Sequence, residues 1–441
     1  MPRYPPGPRA PLLQLGRIYR DPLTSFQGYI REHGNIVHLP FGGLHVFLVN
    51  EPEAIQEVLV KQHRSFHKGR ALQEARRLLG NGLLTANGDE HLGHRRALLP
   101  VFRHERIQGY AAIMAQQSAR ARDRLRAGEE FDMHDAMMRL TLGIIGQALF
   151  DIDLEAEPDF LRALSVSVDN FNRLTAPFAP VVDRLPLPET RRLHAAKRAM
   201  DERIFAMIDE RRGRVPGERQ DLLSWLLEAE DAERGERMSA QQVRDEAVTV
   251  LLAGHETTAN GLTWTWYLLS QHPEVAAQLR AEVAAVLGDR APTAEDVPKL
   301  KLARQVFAEG MRLYPPAWII GRKAIEPVRI AGYDLPKGSL VLMSQFMMHR
   351  DARFWPEPDS FDPDRWTPEA TAARPKFCYF PFGGGPRSCI GEPLAWMEAV
   401  VVLATFAQRW RFALARGFEP ELEPKLTLRP KHGMRMVAHP A

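Results

Sequence analysis

Cysteine is nearly missing from this chain: two residues, Cys378 and Cys389, among 441. That excludes a disulfide framework and leaves too few thiols for a cysteine-bound zinc or iron–sulfur cluster. An excess of one charge is missing too. Lys and Arg number 58 against 55 Asp and Glu, a net charge of +3, too mild for a nucleic-acid partner. No long uninterrupted apolar run occurs. The longest candidate, Val248 to Leu269, carries His255, Glu256 and Asn260 in its middle, and charged groups are costly at bilayer depth. The N-terminus, Met1-Pro-Arg-Tyr-Pro-Pro-Gly-Pro, lacks the apolar stretch of a signal peptide or a span. The expectation is a cytoplasmic protein without a membrane anchor. Gly/Ser linkers, low-complexity blocks and fixed-period repeats are also missing, so residues 1–441 read as one domain, with a proline-rich segment at 1–16, although length alone suggests two or three.

What is present is concentrated near the C-terminus, in Phe382-Gly-Gly-Gly-Pro-Arg387-Ser-Cys389-Ile-Gly391. A helix is predicted after it, Leu394 to Trp410, so the Cys389 sulfur falls near a helix N-terminus, where unpaired N–H groups and the macrodipole favour a thiolate. The glycines allow positive φ and let Gly391 approach a flat cofactor. Arg387 places a charged donor beside the sulfur. A phosphate loop would end in Gly-Lys-Ser/Thr, and a zinc site needs more ligands at short spacing. An inert buried cysteine is the bland alternative.

The spacing Phe-x-x-Gly-x-Arg-x-Cys-x-Gly resembles the haem-binding loop of the cytochrome P450 family, in which cysteine is the axial iron ligand. The resemblance implies haem b with Cys389 as metal ligand and Phe382, Arg387 and Gly391 as cofactor contacts. It also implies one large, mainly α fold with small β-sheets. The pattern along the chain agrees: a hairpin around Gly42-Gly43 between Ile36 and Val49, helical periodicity from about Glu90 to Arg312 punctuated by Pro177, Pro180, Pro186 and Pro188, strands between Val328 and Ser344, and an irregular segment from Trp355 to Trp366.

Ala253-Gly-His-Glu-Thr-Thr258 lies inside the long apolar helix. Gly254, Thr257, Thr258 and Gly261 recur at i, i+3, i+4 and i+7, a face of small residues. Such a face fits close approach of a ligand or of another helix. A zinc-protease reading fails because Ala259 stands where the second histidine would be. The segment resembles the family's oxygen-activating stretch, which implies Glu256 and Thr257 as the acid–alcohol pair for proton delivery. His255 reads as a helix-surface histidine.

Glu309 and Arg312 share a helix face. With Arg365, the resemblance assigns them to a structural ion-pair network. Around His91-Leu-Gly-His-Arg95 the chain resembles the family's Trp-x-x-x-Arg helix, with His91 in place of tryptophan. His91, Arg95 and Arg322 are therefore candidate contacts for haem propionates. The pocket is expected to use the loop 66–87, Ala253, Ala317, Trp318 and Ile319, whose apolar character points to a terpenoid, carotenoid or fatty acid. Arg76 and Arg77 read as a solvated helix face.

The implied function is a haem-thiolate monooxygenase inserting one atom of O2 into such a lipophilic substrate. Electrons would come from a separate ferredoxin or flavodoxin with its reductase, docking on Arg95, Arg96, Arg103, Arg106, Arg374, Lys376 and Arg387. The alternatives are a peroxide-dependent haem-thiolate peroxygenase and a non-enzymatic haem sensor.

Overall fold

A computed structural model describes residues 2–8, 15–170, 185, 187–212, 221–229 and 237–441. Two β-branched runs separated by Gly42, at φ +63°, pair as an antiparallel hairpin, β1 (Ile36–Phe41) and β2 (Leu44–Val49). Three later strands, β3 (Phe66–Lys68), β4 (Ile320–Ala324) and β5 (Leu340–Met343), extend it to a five-stranded sheet in the order β1-β2-β5-β4-β3. Only the β2–β5 contact is parallel. The register places Lys68 opposite Arg322, which later brings two cations together. Val328–Ile330 and Tyr333–Leu335 pair separately around Gly332, at φ +81°.

Six helices position the site: α1 (Gly88–Leu98), α2 (His104–Asp123), α3 (Met133–Phe150), α4 (Ala240–Gln271), α5 (Lys301–Leu313) and α6 (Glu392–Ala407). Ser239 and Gln242 form a reciprocal capping box at the start of α4, which satisfies backbone donors that would otherwise be orphaned. From there α4 runs 32 residues, about 48 Å at 1.5 Å per residue. It packs against α3, α5 and α6. This explains why it is buried nearly all round rather than on one stripe. The core is continuous through Ile144, Ile145, Leu251, Phe307 and Val400.

The expected helix to Trp410 ends earlier, at Ala407. Trp410–Leu414 is a strand whose residues alternate, Trp410 and Phe412 in and Arg411 out, and it pairs antiparallel with Arg435–Pro440. Period-two burial prevails there over helical continuation. Pro188 opens the helix Pro188–Arg212, a position where its missing N–H is harmless. Pro177, Pro180 and Pro186 lie outside the described residues, as does much of segment 1–16. Among the described residues no helix is long and apolar enough to cross a membrane.

The irregular segment after Trp355 is held by the predicted ion-pair network. Arg312 donates Nε and Nη2 to the two Glu309 oxygens, each at 2.8 Å. Its remaining donors reach the carbonyls of His349, Pro358 and Ser360. Glu309 also accepts from the Asp362 N–H and the Trp366 indole, and Arg365 Nε stands 3.4 Å from it. Glu309 and Arg312 are both fully buried. One carboxylate and one guanidinium thus tie α5 to five points of a segment that has little regular structure of its own.

Candidate active site

The glycine-rich loop is shaped by what it packs against. Gly383 and Gly385 adopt φ +72° and +68°, conformations costly for other residues. A Cβ on Gly385 would sit 2.1 Å from the Leu59 carbonyl oxygen, and one on Gly384 would sit 2.4 Å from the Phe377 ring. The Cys389 N–H donates to the Phe382 carbonyl at 2.9 Å, and Phe382 packs beside Trp396. Gly391 caps α6 at an ordinary φ of −83°, and its open side faces Cys389 Sγ and Phe102 at 3.9 Å.

Cys389 is exposed as a residue, although protein packs around its thiol. Burial pushes its thiol up, against opposing donation from the Gly391 and Glu392 N–H groups and the charge of Arg95. An accessible sulfur that is nonetheless desolvated opens onto an interior space, not onto bulk water. Cys378, by contrast, is buried beside Trp355 and Phe380, and burial raises its thiol to about 11.

Beside the loop lies a group of cations with little to neutralise them. Arg322 is buried, with one guanidinium donor on the Gly321 carbonyl; burial and the Arg387 charge bring it down to about 9. Lys68 donates to the Leu83 carbonyl and is lowered to about 7 by burial, then by Arg322 and Arg387. Arg95 donates to the Ser388 carbonyl at 2.7 Å, and Arg387 to that of His63 at 3.1 Å. His91 is buried on α1 and held at about 3 by burial and by Lys68, Arg387 and Arg95. Among the described residues no carboxylate lies within ion-pair distance of Lys68, Arg95, Arg322 or Arg387. Glu246, which acts on Lys68, is itself 2.7 Å from His94. Desolvated like charges are unfavourable together, so this cluster is complementary to an anion. Lys68 was not singled out from the sequence, since only the β3–β4 pairing brings it to Arg322.

On α4 the small residues divide between two jobs. Ala253 is exposed and Thr257 partly so in a helix otherwise largely buried; the Thr257 hydroxyl donates to the Ala253 carbonyl at 2.7 Å. The glycines instead serve helix packing: a Cβ on Gly254 would meet Ile145 at 2.4 Å, and one on Gly261 would meet Phe307 at 3.1 Å. Glu256 is buried and turned toward the C-terminal strands, where it accepts from the Thr427 hydroxyl. His255 is not on the surface as expected. It is buried with Nδ1 on the Leu251 carbonyl at 2.7 Å, and burial brings it to about 4. A neutral imidazole bonded one turn back along its own helix satisfies its polarity without water.

Ala317 and Ile319 are partly exposed. Trp318 departs from the expected pocket. It is buried among Leu23, Phe26 and Phe346, its indole donating to the Lys425 carbonyl at 2.9 Å. Arg76 is exposed, with local contacts to Asn81 and Glu90, whereas Arg77, paired with Glu74, is partly buried. Of the expected docking cations, Arg96, Arg103 and Lys376 are exposed. Arg106 stacks over Trp225 and Arg374 over Trp355 and Trp366, while Arg95 bonds Ser388 in the loop and Arg387 reaches from the loop to the His63 carbonyl.

This geometry has known counterparts. The family model Cytochrome P450 matches residues 5–436, and the chain belongs to the cytochrome P450 family, haem oxidoreductases that incorporate oxygen. Cyclooctatin synthase of Streptomyces melanosporofaciens is 38% identical over 423 residues, covering 96% of this chain and 92% of that one. Pentalenene oxygenase of Streptomyces avermitilis is 31% identical over 430 residues, with the same coverages. The crystal structure of the cytochrome P450DA heme domain superposes with a TM-score of 0.89 at 30% identity, covering all of this chain and 98% of that one.

Proposed function

We propose that the protein is a haem-thiolate monooxygenase acting on a lipophilic terpenoid, with haem b held through Cys389. The observation that carries the reading is the accessible, desolvated Cys389 sulfur beside buried cations that have no carboxylate partners. Haem fits this donor set, since its iron takes a thiolate and its propionates are anions. Arg95, Arg322, Arg387 and Lys68 would neutralise the propionates, and His91, neutral, would contribute at most a hydrogen bond. Phe382 and Gly391 would border the ring near the sulfur. When bound, haem supplies dioxygen activation and the oxygen transfer itself.

The chain's own contribution is shape, dryness and protons. Ala253, Ala317 and Ile319 offer apolar walls for a substrate, and two relatives are named for cyclooctatin and pentalenene, both terpenoids. Thr257, whose hydroxyl rests on the Ala253 carbonyl one turn back, would pass protons on, and Glu256 would supply an acid one residue away. The experiment is turnover with a reductase system on a panel of terpenoids, fatty acids and carotenoids. A terpenoid alcohol or epoxide as the preferred product supports the substrate class, and preference for a fatty acid overturns it.

Replacing Thr257 by alanine removes the hydroxyl while leaving the helix intact. We expect Thr257→Ala to keep haem and substrate affinity and to release more peroxide per electron pair consumed, because misplaced protons divert reduced oxygen. Unchanged coupling between electron consumption and product would remove Thr257 from proton delivery.

Electrons would arrive from a separate acidic ferredoxin or flavodoxin. The residues left for docking are Arg96, Arg103 and Lys376, with Leu92 and Leu99 exposed on the same helical stretch as Arg96. Steering by such charges is screened beyond about 8–10 Å at physiological salt and acts on association rate. Reversing Arg96 or Arg103 to glutamate should slow reduction by sub-saturating ferredoxin in stopped flow and weaken its salt dependence. Rates indifferent to both salt and charge would leave these cations as surface solvation only.

A further inference from the structure

Glu256 follows His255 and precedes Thr257, yet its carboxylate is buried and bonded to Thr427. Glu256 and Asn260, one turn apart on α4, both turn toward the hairpin made by β6 (Leu422–Pro424) and β7 (Leu428–Pro430). Thr427 sits buried in the bend between those strands. Its hydroxyl donates to Glu256 Oε1 at 2.6 Å and accepts from Asn260 Nδ2 at 3.1 Å. A hydroxyl has one hydrogen. With that hydrogen on the carboxylate, only a lone pair is left for Asn260, so the direction of the chain is fixed.

The bend itself is clamped. The Trp264 indole donates to the Leu428 carbonyl and the Leu428 N–H to that of Pro316, which leaves Thr427 little freedom to move away. Near Asn260 stands His134 at the start of α3, whose imidazole burial holds below its ordinary value, with Asp132 and the Asn260 side chain opposing. The charged and titratable groups facing His134 are Asp132 and Asp135 on its own segment, Arg429 on β7 and His255 on α4. Donors aligned in one direction polarise each other, and hydrogen bonds to a carboxylate favour its charged form.

We propose that Thr427 is a positioning residue for Glu256: its hydroxyl, backed by Asn260, directs the carboxylate at the hairpin and, together with the other contact that Glu256 makes, favours its ionised form, and so shifts the pH range in which Glu256 takes up a proton. This rests on the reading of Glu256 as the acid of proton delivery. Thr257, about 100° further round the same helix turn, then completes delivery.

The test is an infrared pH titration of the purified haem protein, with the Glu256 carboxyl band assigned by its loss in Glu256→Gln. Thr427→Val keeps the shape and removes the donor. It should move Glu256 protonation upward by about one to two pH units, the size expected for a lost bond to a charged group. Thr427→Ser should restore the native value, and Thr257→Ala should leave it in place. Should Thr427→Val fail to fold, Asn260→Leu should give a smaller shift of the same sign. A valine variant that titrates like the native protein, or a serine variant that does not restore it, overturns the proposal. Peroxide release is followed in parallel. A band that shifts as expected while Glu256→Gln leaves coupling unchanged would overturn the proton-delivery role of Glu256 and keep the positioning role of Thr427.

Discussion

Cys389→Ala is expected to abolish the strongly red-shifted Soret band of the reduced, carbon-monoxide-bound protein, and oxygenation with it. Cys378→Ala should retain both. The contrast follows from where the two thiols lie. Cys389 is accessible from an interior space at the start of α6 and receives backbone N–H donation there. Cys378 is packed among aromatic rings with no approach for a metal. Stabilising N–H groups count for most on a thiolate bound to a cation, because the bound charge offsets the burial that holds the free thiol up. If the band persisted in Cys389→Ala and vanished in Cys378→Ala, the assignment of the ligand would be wrong.

The second large effect is on stability. Glu309→Gln keeps the shape of the side chain and leaves Arg312, wholly buried, without its counter-charge. Removing one partner of a buried pair costs about 3–5 kcal/mol, against about 0–1 kcal/mol for an exposed pair. The measurement is the shift in urea midpoint, read alongside haem retention, since Glu309 also accepts from Asp362 and Trp366 in the segment leading to the loop. We expect the larger figure, and early haem loss. A shift in the exposed-pair range would mean that the carbonyls of His349, Pro358 and Ser360 suffice to satisfy Arg312.

How much of this was legible in the sequence depended on how local the cause was. The cysteine loop was legible because its constraints are local: glycines at positive φ, a proline starting a helix, a sulfur two residues before a cap. The hairpin at Gly42-Gly43 was legible for the same reason. Glu309 and Arg312 were recognisable three residues apart, whereas their partners Trp366 and Asp362 lie more than fifty residues away.

His255, Trp318, Lys68 and Thr427 were misread or missed because tertiary packing sets their surroundings. A polar residue on a helix is surface by default, and only the packing of α4 on all sides buries His255. Trp318 sits in an apolar run next to the pocket, but it turns to the opposite face, where the Lys425 carbonyl meets its indole. Thr427 meets Glu256 across 171 positions, and nothing in Lys425-Leu-Thr-Leu announces that contact. The stripe of small residues on α4 was legible as a pattern, yet its two glycines, Gly254 and Gly261, serve packing against neighbouring helices.

The central claim is that one atom of dioxygen is transferred to a lipophilic substrate at the site beside Cys389. The direct measurement is mass spectrometry of product formed under isotope-labelled dioxygen, with a ferredoxin and its reductase supplying electrons and a terpenoid as substrate. The account predicts a product carrying one labelled oxygen atom, dependent on the redox partner. Product that forms only with added peroxide, or whose new oxygen comes from unlabelled water, would contradict it.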